Sequence, residues 1–401
     1  MRSSTSRAWY SLFVALCLSL TACERTEPRD PTLAKKAGEP AQHQVEGPAP
    51  PDWHDPKSPI KADEVVALFP AGAFLNEAGD TYEVELRGWI YEPEAGDLKR
   101  TALVKAIEEA VGVDDDTPSG ALFEGRVRAL LVDGESGKKV PLAIGDHNVT
   151  SAPSSKGGYF SATLTVPREE FDALEAAPGG VVAHALTRPG DAREFTGLVQ
   201  SIPAEGLTVI SDVDDTVRDS RVTDKKELLR RALLLPYELV PKMAERYRGW
   251  LHKPEDRLHF VSASPWQLYP GLAALFAEGG FPPARYGLRT LPEQLKDINE
   301  LFSASGDVKR AAVLETVAKS PGRKFVLVGD SGEGDPEMYA DVTRQYPDRV
   351  VAIFIREAEG GRNDEARFLD AFEGLPRGLW ATFKTGDDLP ASLDDRRAGA
   401  P

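Results

Sequence analysis

Three aspartates and a threonine end an apolar run near the middle of the chain. Residues 207–210 read Leu-Thr-Val-Ile, and Asp212, Asp214, Asp215 and Thr216 follow almost at once. Carboxylates at the end of a buried strand repel one another and lose hydration, so a cation normally neutralises them. Mg²⁺ prefers oxygen ligands of this kind. The stretch therefore indicates a magnesium site, and the alternative is an acidic turn that merely follows a strand.

Further polar groups lie where other predicted elements end or begin. Ser262 and Ser264 follow a second apolar run, Asp330 and Asp335 follow a third, and Lys309 opens a predicted helix. Ligands of open α/β sheets bind at the carboxyl ends of the strands. We therefore expect these side chains to meet the first aspartates at one site.

The residue types at these positions suit phosphoryl transfer. The Asp212 carboxylate could attack phosphorus and hold the group as an aspartyl phosphate, with Mg²⁺ and Lys309 cancelling the charge repulsion. Asp214 could protonate the leaving alkoxide and then activate water. The Ser262 hydroxyl could orient a phosphate oxygen.

The same reasoning predicts metal ligands and substrate contacts. The expected Mg²⁺ ligands are oxygens of Asp212, Asp330 and Asp335 and the carbonyl of Asp214, although Asp335 could brace the site instead. Thr216, Ser264 and Trp266 are candidate substrate-binding residues. For Thr216 the alternative is a hydrogen bond within its own loop, and for Trp266 it is packing, because a Pro-Trp pair often opens a helix.

Four motifs occur in a fixed order. They are Asp212-Val-Asp-Asp-Thr216, Ser262 after the next strand, Lys309 at a helix start, and Gly329-Asp330 followed by Asp335. Together they resemble the motifs of the haloacid dehalogenase superfamily.

A narrower resemblance covers about residues 206–358. Residues 262–269 and 329–339 are similar to the catalytic domain of the actin-patch-type phosphatidate phosphatases, relatives of the lipins. The resemblance implies Mg²⁺-dependent removal of phosphate from phosphatidate, which leaves diacylglycerol. Val308 stands where this pattern has a histidine beside the motif lysine, so Lys296 is kept as a fallback for Lys309.

Residues 206–390 are predicted to form a haloacid dehalogenase-like α/β domain with a doubly wound parallel sheet. Apolar runs at 207–210, 258–261, 325–328 and 350–355 lack alternation, as strands buried on both faces do. Helical patterns fall at 224–235, 239–250, 266–279, 307–319 and 335–346. Residues 391–401 are predicted to be a disordered tail.

Residues 60–205 are predicted to form a mainly β, sandwich-like domain. Apolar and polar residues alternate at 82–87, 126–131 and 160–166, which predicts antiparallel strands. Residues 98–111 have helical spacing instead, and we expect that helix to cross between sheets.

The first residues predict export and anchoring. Arg2 and Arg7 precede an apolar run that ends in Leu-Thr-Ala-Cys23, so residues 1–22 resemble a bacterial lipoprotein signal peptide with lipidation at Cys23. Residues 23–59 are predicted to be a disordered tether. We expect a protein lipid-anchored on the extracytoplasmic side of a bacterial cell envelope, facing the periplasm or at the cell surface.

Charge and composition narrow the possible partners. Lys and Arg number 48 against 64 Asp and Glu, a net charge of −16, which argues against nucleic-acid binding. Residues 225–250 carry both basic and leucine side chains and could form a membrane-facing cap, or could pack in the core. Two rival functions stay open: a phosphatase for soluble phosphomonoesters or phosphoproteins, and a non-catalytic surface lipoprotein.

Overall fold

The computed structural model describes residues 60–93, 98–112, 120–175, 180–291 and 306–397, which lie within one compact unit. The predicted signal peptide, Cys23, the tether, Lys296 and residues 398–401 lie outside these residues. Within the predicted disordered tail, Asp394–Arg397 form a helix instead and Leu393 is buried. Among the helices in the described ranges, none has the length and apolar character needed to span a bilayer.

A nine-stranded sheet forms the first part of the described chain. Its strands are β1 (Val65–Leu68), β2 (Ala71–Leu75), β3 (Thr81–Glu92), β4 (Asp133–Gly134), β5 (Pro141–Ile144), β6 (His147–Thr150), β7 (Tyr159–Pro167), β8 (Val181–Ala185) and β9 (Phe195–Ile202). The order is β1-β3-β2-β9-β8-β5-β6, and β4 and β7 also pair with β3. Only β2 and β9 pair in parallel. Tyr82, Val84 and Leu86 of β3 are buried while the residues between them are more exposed, as the alternation predicted.

Three helices accompany this sheet: α1 (Leu98–Val111), α2 (Gly120–Leu130) and α3 (Arg168–Leu174). The helix predicted at 98–111 is confirmed, but the strand predicted at 126–131 is wrong because residues 126–130 belong to α2. Phe123, Val127 and Leu130 are buried and lie on one face of that helix. Their contacts with other helices decide the local structure.

A six-stranded parallel sheet follows. Its strands are β10 (Leu207–Asp212), β11 (Arg257–Pro265), β12 (Ala284–Arg289), β13 (Lys324–Asp330), β14 (Val350–Arg356) and β15 (Trp380–Phe383). Its helices are α4 (Lys225–Leu233), α5 (Met243–Trp250), α6 (Tyr269–Glu278), α7 (Gly306–Ala318), α8 (Asp335–Gln345), α9 (Glu365–Ala371) and α10 (Asp394–Arg397). The predicted α/β class with a parallel sheet is confirmed. The haloacid dehalogenase-like and sandwich-like assignments stay predictions.

Apolar side chains cover both faces of the parallel sheet. Val209 packs in a cluster with Tyr247 of α5, whereas its neighbour Ile210 packs in a second cluster with Val313 of α7 and Tyr339 of α8. Successive strand residues point to opposite faces, so both faces need apolar partners. This explains why the strand sequences do not alternate.

The strand order fixes where a ligand can enter. The sheet runs β12-β11-β10-β13-β14-β15, so the chain order reverses between β10 and β13. In open parallel sheets a crevice forms at the carboxyl ends of such neighbouring strands. Asp212 ends β10 and Asp330 ends β13, and both therefore lie at this crevice.

The apolar face of α4 packs within the protein. Leu229 and Leu233 are buried in a cluster with Ile107 of α1 and Val127 of α2. Asp224 caps the helix by accepting bonds from the backbone of its first turn. Core packing thus accounts for Leu229 and Leu233, and Leu228 is also buried, so α4 presents no exposed leucine face to a membrane.

Candidate active site

Asp212 lies almost fully buried at the end of β10. Its Oδ2 accepts a hydrogen bond of 2.8 Å from the Thr216 hydroxyl, and its Oδ1 lies 2.9 Å from Lys309 Nζ. Both oxygens are therefore held by side chains from different elements. Thr216 thus makes the hydrogen bond within its own loop that was its alternative role, and it positions the predicted nucleophile.

Lys309, in the first turn of α7, joins several carboxylates. Its Nζ lies 2.9 Å from Asp212, 2.8 Å from Asp335 Oδ1 and 3.0 Å from Glu333 Oε2. Burial lowers the pKa of this ammonium, but the carboxylates outweigh burial and hold the pKa well above its ordinary value. The structure thus places Lys309 where the motif lysine was predicted.

Asp330 and Asp335 complete a buried triad with Asp212. Asp335 Oδ2 accepts the backbone N–H of Asp330 at 3.2 Å. Asp330 Oδ1 accepts the backbone N–H groups of Gly332 and Glu333, at 2.6 and 3.2 Å. The turn after β13 thus aims both side chains into the crevice.

The triad carries more negative charge than the chain neutralises. Burial raises the pKa of Asp212 and Asp330 well above the usual range; Lys309 opposes this effect, and neighbouring carboxylates strengthen it. The pKa of Asp335 is raised for the same main reason, burial. One buried ammonium therefore faces three buried carboxylates, which is costly unless a further cation binds.

The residues present fit a divalent cation. Oxygen atoms from Asp212, Asp330 and Asp335 lie within 4.8 Å of one another. Asp330 Oδ2 is buried and has no hydrogen-bond partner among the described residues. A buried carboxylate oxygen without a partner is uncommon, and Mg²⁺ binds such oxygens. The predicted carbonyl ligand of Asp214 stays a prediction.

Asp214 lies in a different environment, although it is only two residues from Asp212. Its Oδ2 accepts hydrogen bonds from Ser262 at 2.8 Å and Ser264 at 2.9 Å. Its Oδ1 accepts from Ser220 at 2.7 Å and pairs with Arg218. Burial raises the pKa of Asp214, but the guanidinium and the hydroxyls outweigh burial, so the pKa falls below its ordinary value.

Asp215, which had no predicted role, organises the following loop. Its carboxylate accepts backbone N–H groups of Ser220, Arg221 and Val222 at 2.7 to 2.8 Å. Its own φ is 57°, a left-handed conformation that costs energy outside glycine. These bonds therefore hold a strained turn that sets the direction of Asp214.

The other two predicted substrate residues, Ser264 and Trp266, lie in different parts of the structure. Ser264 lines a small cavity of about 20 Å³ with Asp212, Asp214 and Glu333. Trp266 is buried and stacks on Phe69, with ring centroids 3.9 Å apart and an interplanar angle of 4°. The structure thus places Ser264 at the site and Trp266 in the contact between the two sheets.

Two arginines at the site were missed in the sequence. Arg218 is buried on Asp214, and Arg367 of α9 donates to the carbonyls of Ser331 and Glu333 at 2.6 and 2.7 Å. Arg218 follows Asp214 by four residues, which was a usable signal because a buried aspartate needs a cation. Nothing in the sequence near Arg367 indicates its contact with a loop more than thirty residues earlier.

A known protein family matches the part of the chain that contains this site. Residues 207–357 match the family model described as "Phosphatidate phosphatase APP1, catalytic domain". An uncharacterised protein of Schizosaccharomyces pombe is 30% identical over 205 residues, 50% of this chain and 33% of that protein. Phosphatidate phosphatase APP1 of Saccharomyces cerevisiae is 29% identical over 164 residues, 40% of this chain and 27% of that protein.

These matches support an APP1-like phosphatase domain, a phosphoric monoester hydrolase, within the matched residues. The chain covers about a third or less of each relative's own length. Among solved structures, a carbohydrate esterase has 10% identity and a TM-score of 0.20 over 79% of this chain and 99% of that chain, which is too low to bear on fold or function.

Proposed function

We propose that this chain is a Mg²⁺-dependent phosphatase that hydrolyses phosphatidate, or a related lipid phosphate, to diacylglycerol and phosphate. The observation that carries the proposal is the meeting of Asp212, Lys309 and the Asp330–Asp335 pair in one crevice, within the segment that matches the family model. The lipid substrate is proposed because the yeast relative is a phosphatidate phosphatase and because the sequence predicts a lipid anchor.

The chain's own residues divide the proposed reaction into two steps. An Asp212 oxygen forms a bond to phosphorus as the ester P–O bond breaks, and Asp214 gives its proton to the departing alkoxide. A water then bonds to phosphorus and gives a proton to Asp214, while the bond between phosphorus and Asp212 breaks. Lys309 offsets the charge on Asp212 in both steps. Mg²⁺ held by Asp212, Asp330 and Asp335 would neutralise phosphate charge.

Asp214 is set up for the second of these steps. Four donors hold Asp214 as a carboxylate, which is the protonation state that a base needs, although they also make it a weaker base. To act first as an acid it must take up a proton and exchange some of these bonds. We therefore assign to Ser262 and Ser264 the positioning of Asp214 as well as the predicted contact with a phosphate oxygen.

We also propose a location at a membrane, which only the sequence supports. Lipidation at Cys23 and the tether would hold the catalytic part at the extracytoplasmic side of a bacterial envelope membrane. Phosphatidate would then reach the crevice from the same bilayer. The net charge of −16 leaves the lipid anchor as the expected membrane contact.

A phosphate-release screen tests the substrate. The purified chain is offered phosphatidate in mixed micelles, soluble phosphomonoesters and phosphopeptides, each with and without Mg²⁺, and the Asp212→Asn variant is the control. We expect Mg²⁺-dependent release from phosphatidate by the unmodified protein alone. Release from soluble esters only would remove the lipid substrate. Release from none, together with unchanged biological activity of the variant, would favour the non-catalytic lipoprotein.

A further inference from the structure

A second cavity, of about 70 Å³, lies where the two sheets meet. Phe69, Gly72 and Phe74 line it from the first sheet, and His259 and Arg285 line it from the parallel sheet. One water needs roughly 10 to 15 Å³ of such space. The cavity therefore has room for a small polar ligand, and it is separate from the space lined by Asp212 and Asp214.

Charges around this cavity do not balance. Arg87 pairs with Glu85 at 2.9 Å and with Glu315 at 3.1 Å. Lys319 pairs with the same two carboxylates, both at 2.9 Å. Two cations thus neutralise two carboxylates. Arg285 remains as the surplus positive charge, because it forms no ion pair with a carboxylate in the part of the chain that the structure describes.

Arg285 also has unused donors. Its Nη2 donates to His259 Nδ1 at 2.9 Å and to the Thr316 hydroxyl oxygen at 3.1 Å. Its guanidinium carbon lies 4.9 Å from the centre of the Phe74 ring. Nη1 lies beside Gly72, where a Cβ atom would come within 2.7 Å of it. No described residue accepts a hydrogen bond from Nη1 or Nε.

His259 adds a third donor. It is 5% exposed, and burial together with Arg285 holds its pKa well below the ordinary value, so the ring is neutral. Because Nδ1 accepts the N–H of Arg285, the ring proton lies on Nε2. No described residue accepts that N–H. A guanidinium with free N–H groups and a neighbouring imidazole N–H together suit an oxygen-rich anion.

We propose that the cavity between the two sheets binds one small oxyanion, a phosphate or a carboxylate group, through Arg285 and the Nε2–H of His259. One anionic group would balance the surplus charge and use the donors that the chain leaves free. The cavity volume admits such a group but not a lipid chain. The site is independent of the proposed phosphatase reaction.

Isothermal titration calorimetry tests the proposal in Mg²⁺-free buffer. The full chain is titrated separately with inorganic phosphate, acetate and glycerol 3-phosphate. We expect binding of about one anion per chain, weakened at least about tenfold in Arg285→Gln because a charge-assisted hydrogen bond is lost. Tighter binding of glycerol 3-phosphate than of phosphate would identify a headgroup as the source, and the reverse order would identify free phosphate.

Arg126→Gln is the matched control. Arg126 also lies over an aromatic ring, 3.7 Å from the centre of Tyr237, but does not line this cavity. The Arg126→Gln variant should bind the anion with the same affinity as the unmodified protein. Equal affinity of Arg285→Gln and unmodified protein, or no heat of binding with any of the three anions, would overturn the proposal.

Diffraction from crystals of the unmodified protein soaked in selenate gives a measurement that needs no variant. The anomalous signal of selenium is expected between Arg285 and His259. Selenate found only elsewhere, including beside Lys309, would overturn the site even if the titration showed binding.

Discussion

The two aspartates that flank Val213 have opposite surroundings. Asp212 belongs to a triad with Asp330 and Asp335 in which one ammonium serves three carboxylates. Asp214 receives an arginine and three hydroxyls for a single carboxylate. Burial acts to raise the pKa of both carboxyl groups. The pKa of Asp212 is raised as a result, whereas the donors to Asp214 outweigh burial and lower its pKa.

The two aspartates differ in whether protein donors alone satisfy the carboxylate oxygens around them. Around Asp214 every oxygen is satisfied by protein donors, so that carboxylate is held in place without a ligand. In the triad, Asp330 Oδ2 has no partner among the described residues and excess charge remains. Buried charge without compensation is retained in proteins mainly where function uses it. The triad is therefore the part of the site that we expect to bind a cation.

Lys309→Met should have the largest effect. Loss of the ammonium leaves the triad without any protein cation, so we expect the free energy of unfolding in Mg²⁺-free buffer to fall by about 3 to 5 kcal/mol. Phosphatase activity should fall at least about 100-fold. Urea unfolding and phosphate release measure the two effects.

Lys319→Met is the matched control for that experiment. Lys319 also pairs with two carboxylates, but they are partly exposed and retain Arg87, so the loss should be at most about 1 kcal/mol. Equal destabilisation by the two variants would contradict the special status of the triad.

Arg218→Gln should disturb the surroundings of Asp214. Because Asp214 would lose its buried cation, we expect the free energy of unfolding to fall by about 3 kcal/mol. The pKa of Asp214 should rise toward its ordinary value or above it. If Asp214 gives a proton to the leaving group, the alkaline limb of the pH–activity profile should shift to higher pH, since a higher pKa retains the proton there.

Arg221→Gln controls for changes in the same loop. Arg221 pairs with Asp219 and Glu359 near the surface and does not contact Asp214. Its pH–activity profile should match that of the unmodified protein. An unshifted profile in Arg218→Gln would argue against an acid role for Asp214.

Asp330→Asn should not lower the free energy of unfolding in Mg²⁺-free buffer, although most substitutions of buried residues do. Without Mg²⁺ we expect the variant to be as stable as the unmodified protein or more stable, because a buried charge is removed. Mg²⁺ at about 100 times its dissociation constant should stabilise the unmodified protein by about 2.7 kcal/mol and the variant much less. Thermal unfolding with and without Mg²⁺ measures this, and equal stabilisation of both proteins would place the metal elsewhere.

Among the substitutions that remove a contact of Lys309, Arg218 or Asp214, Ser264→Ala should have the smallest effect. It removes one of four donors to Asp214, so we expect a loss of about 1 to 2 kcal/mol in unfolding free energy and no change in the stabilisation by Mg²⁺. Calorimetric unfolding with and without Mg²⁺ checks both. A lost response to Mg²⁺ would mean that the two halves of the site are coupled.

The sequence predicts most of the parallel sheet because its central strands are buried on both faces. Runs such as 325–328 contain only apolar residues, and the polar residues that follow them mark the strand ends. The edge strands are harder. β12 contains Arg285 and Arg289, and β15 is short, so neither shows an uninterrupted apolar run.

The sequence predicts those site residues that belong to its motifs. Asp212, Lys309 and Asp330 each stand at a recognisable strand or helix end, and the structure brings them together. Packing across long sequence separations is not predictable in this way. The stacking of Trp266 on Phe69 and the helix at 120–130 both depend on contacts with distant segments.

Acid-quench labelling tests the central claim most directly, namely that Asp212 carries the phosphoryl group in a Mg²⁺-dependent reaction. The protein is mixed with ³²P-labelled phosphatidate and Mg²⁺, quenched, and its bound label is counted beside Asp212→Asn and the surface control Asp219→Asn. We predict hydroxylamine-sensitive label on the unmodified protein and on Asp219→Asn, and none on Asp212→Asn, which should also release no phosphate. Phosphate release by Asp212→Asn at the rate of the unmodified protein would contradict the account.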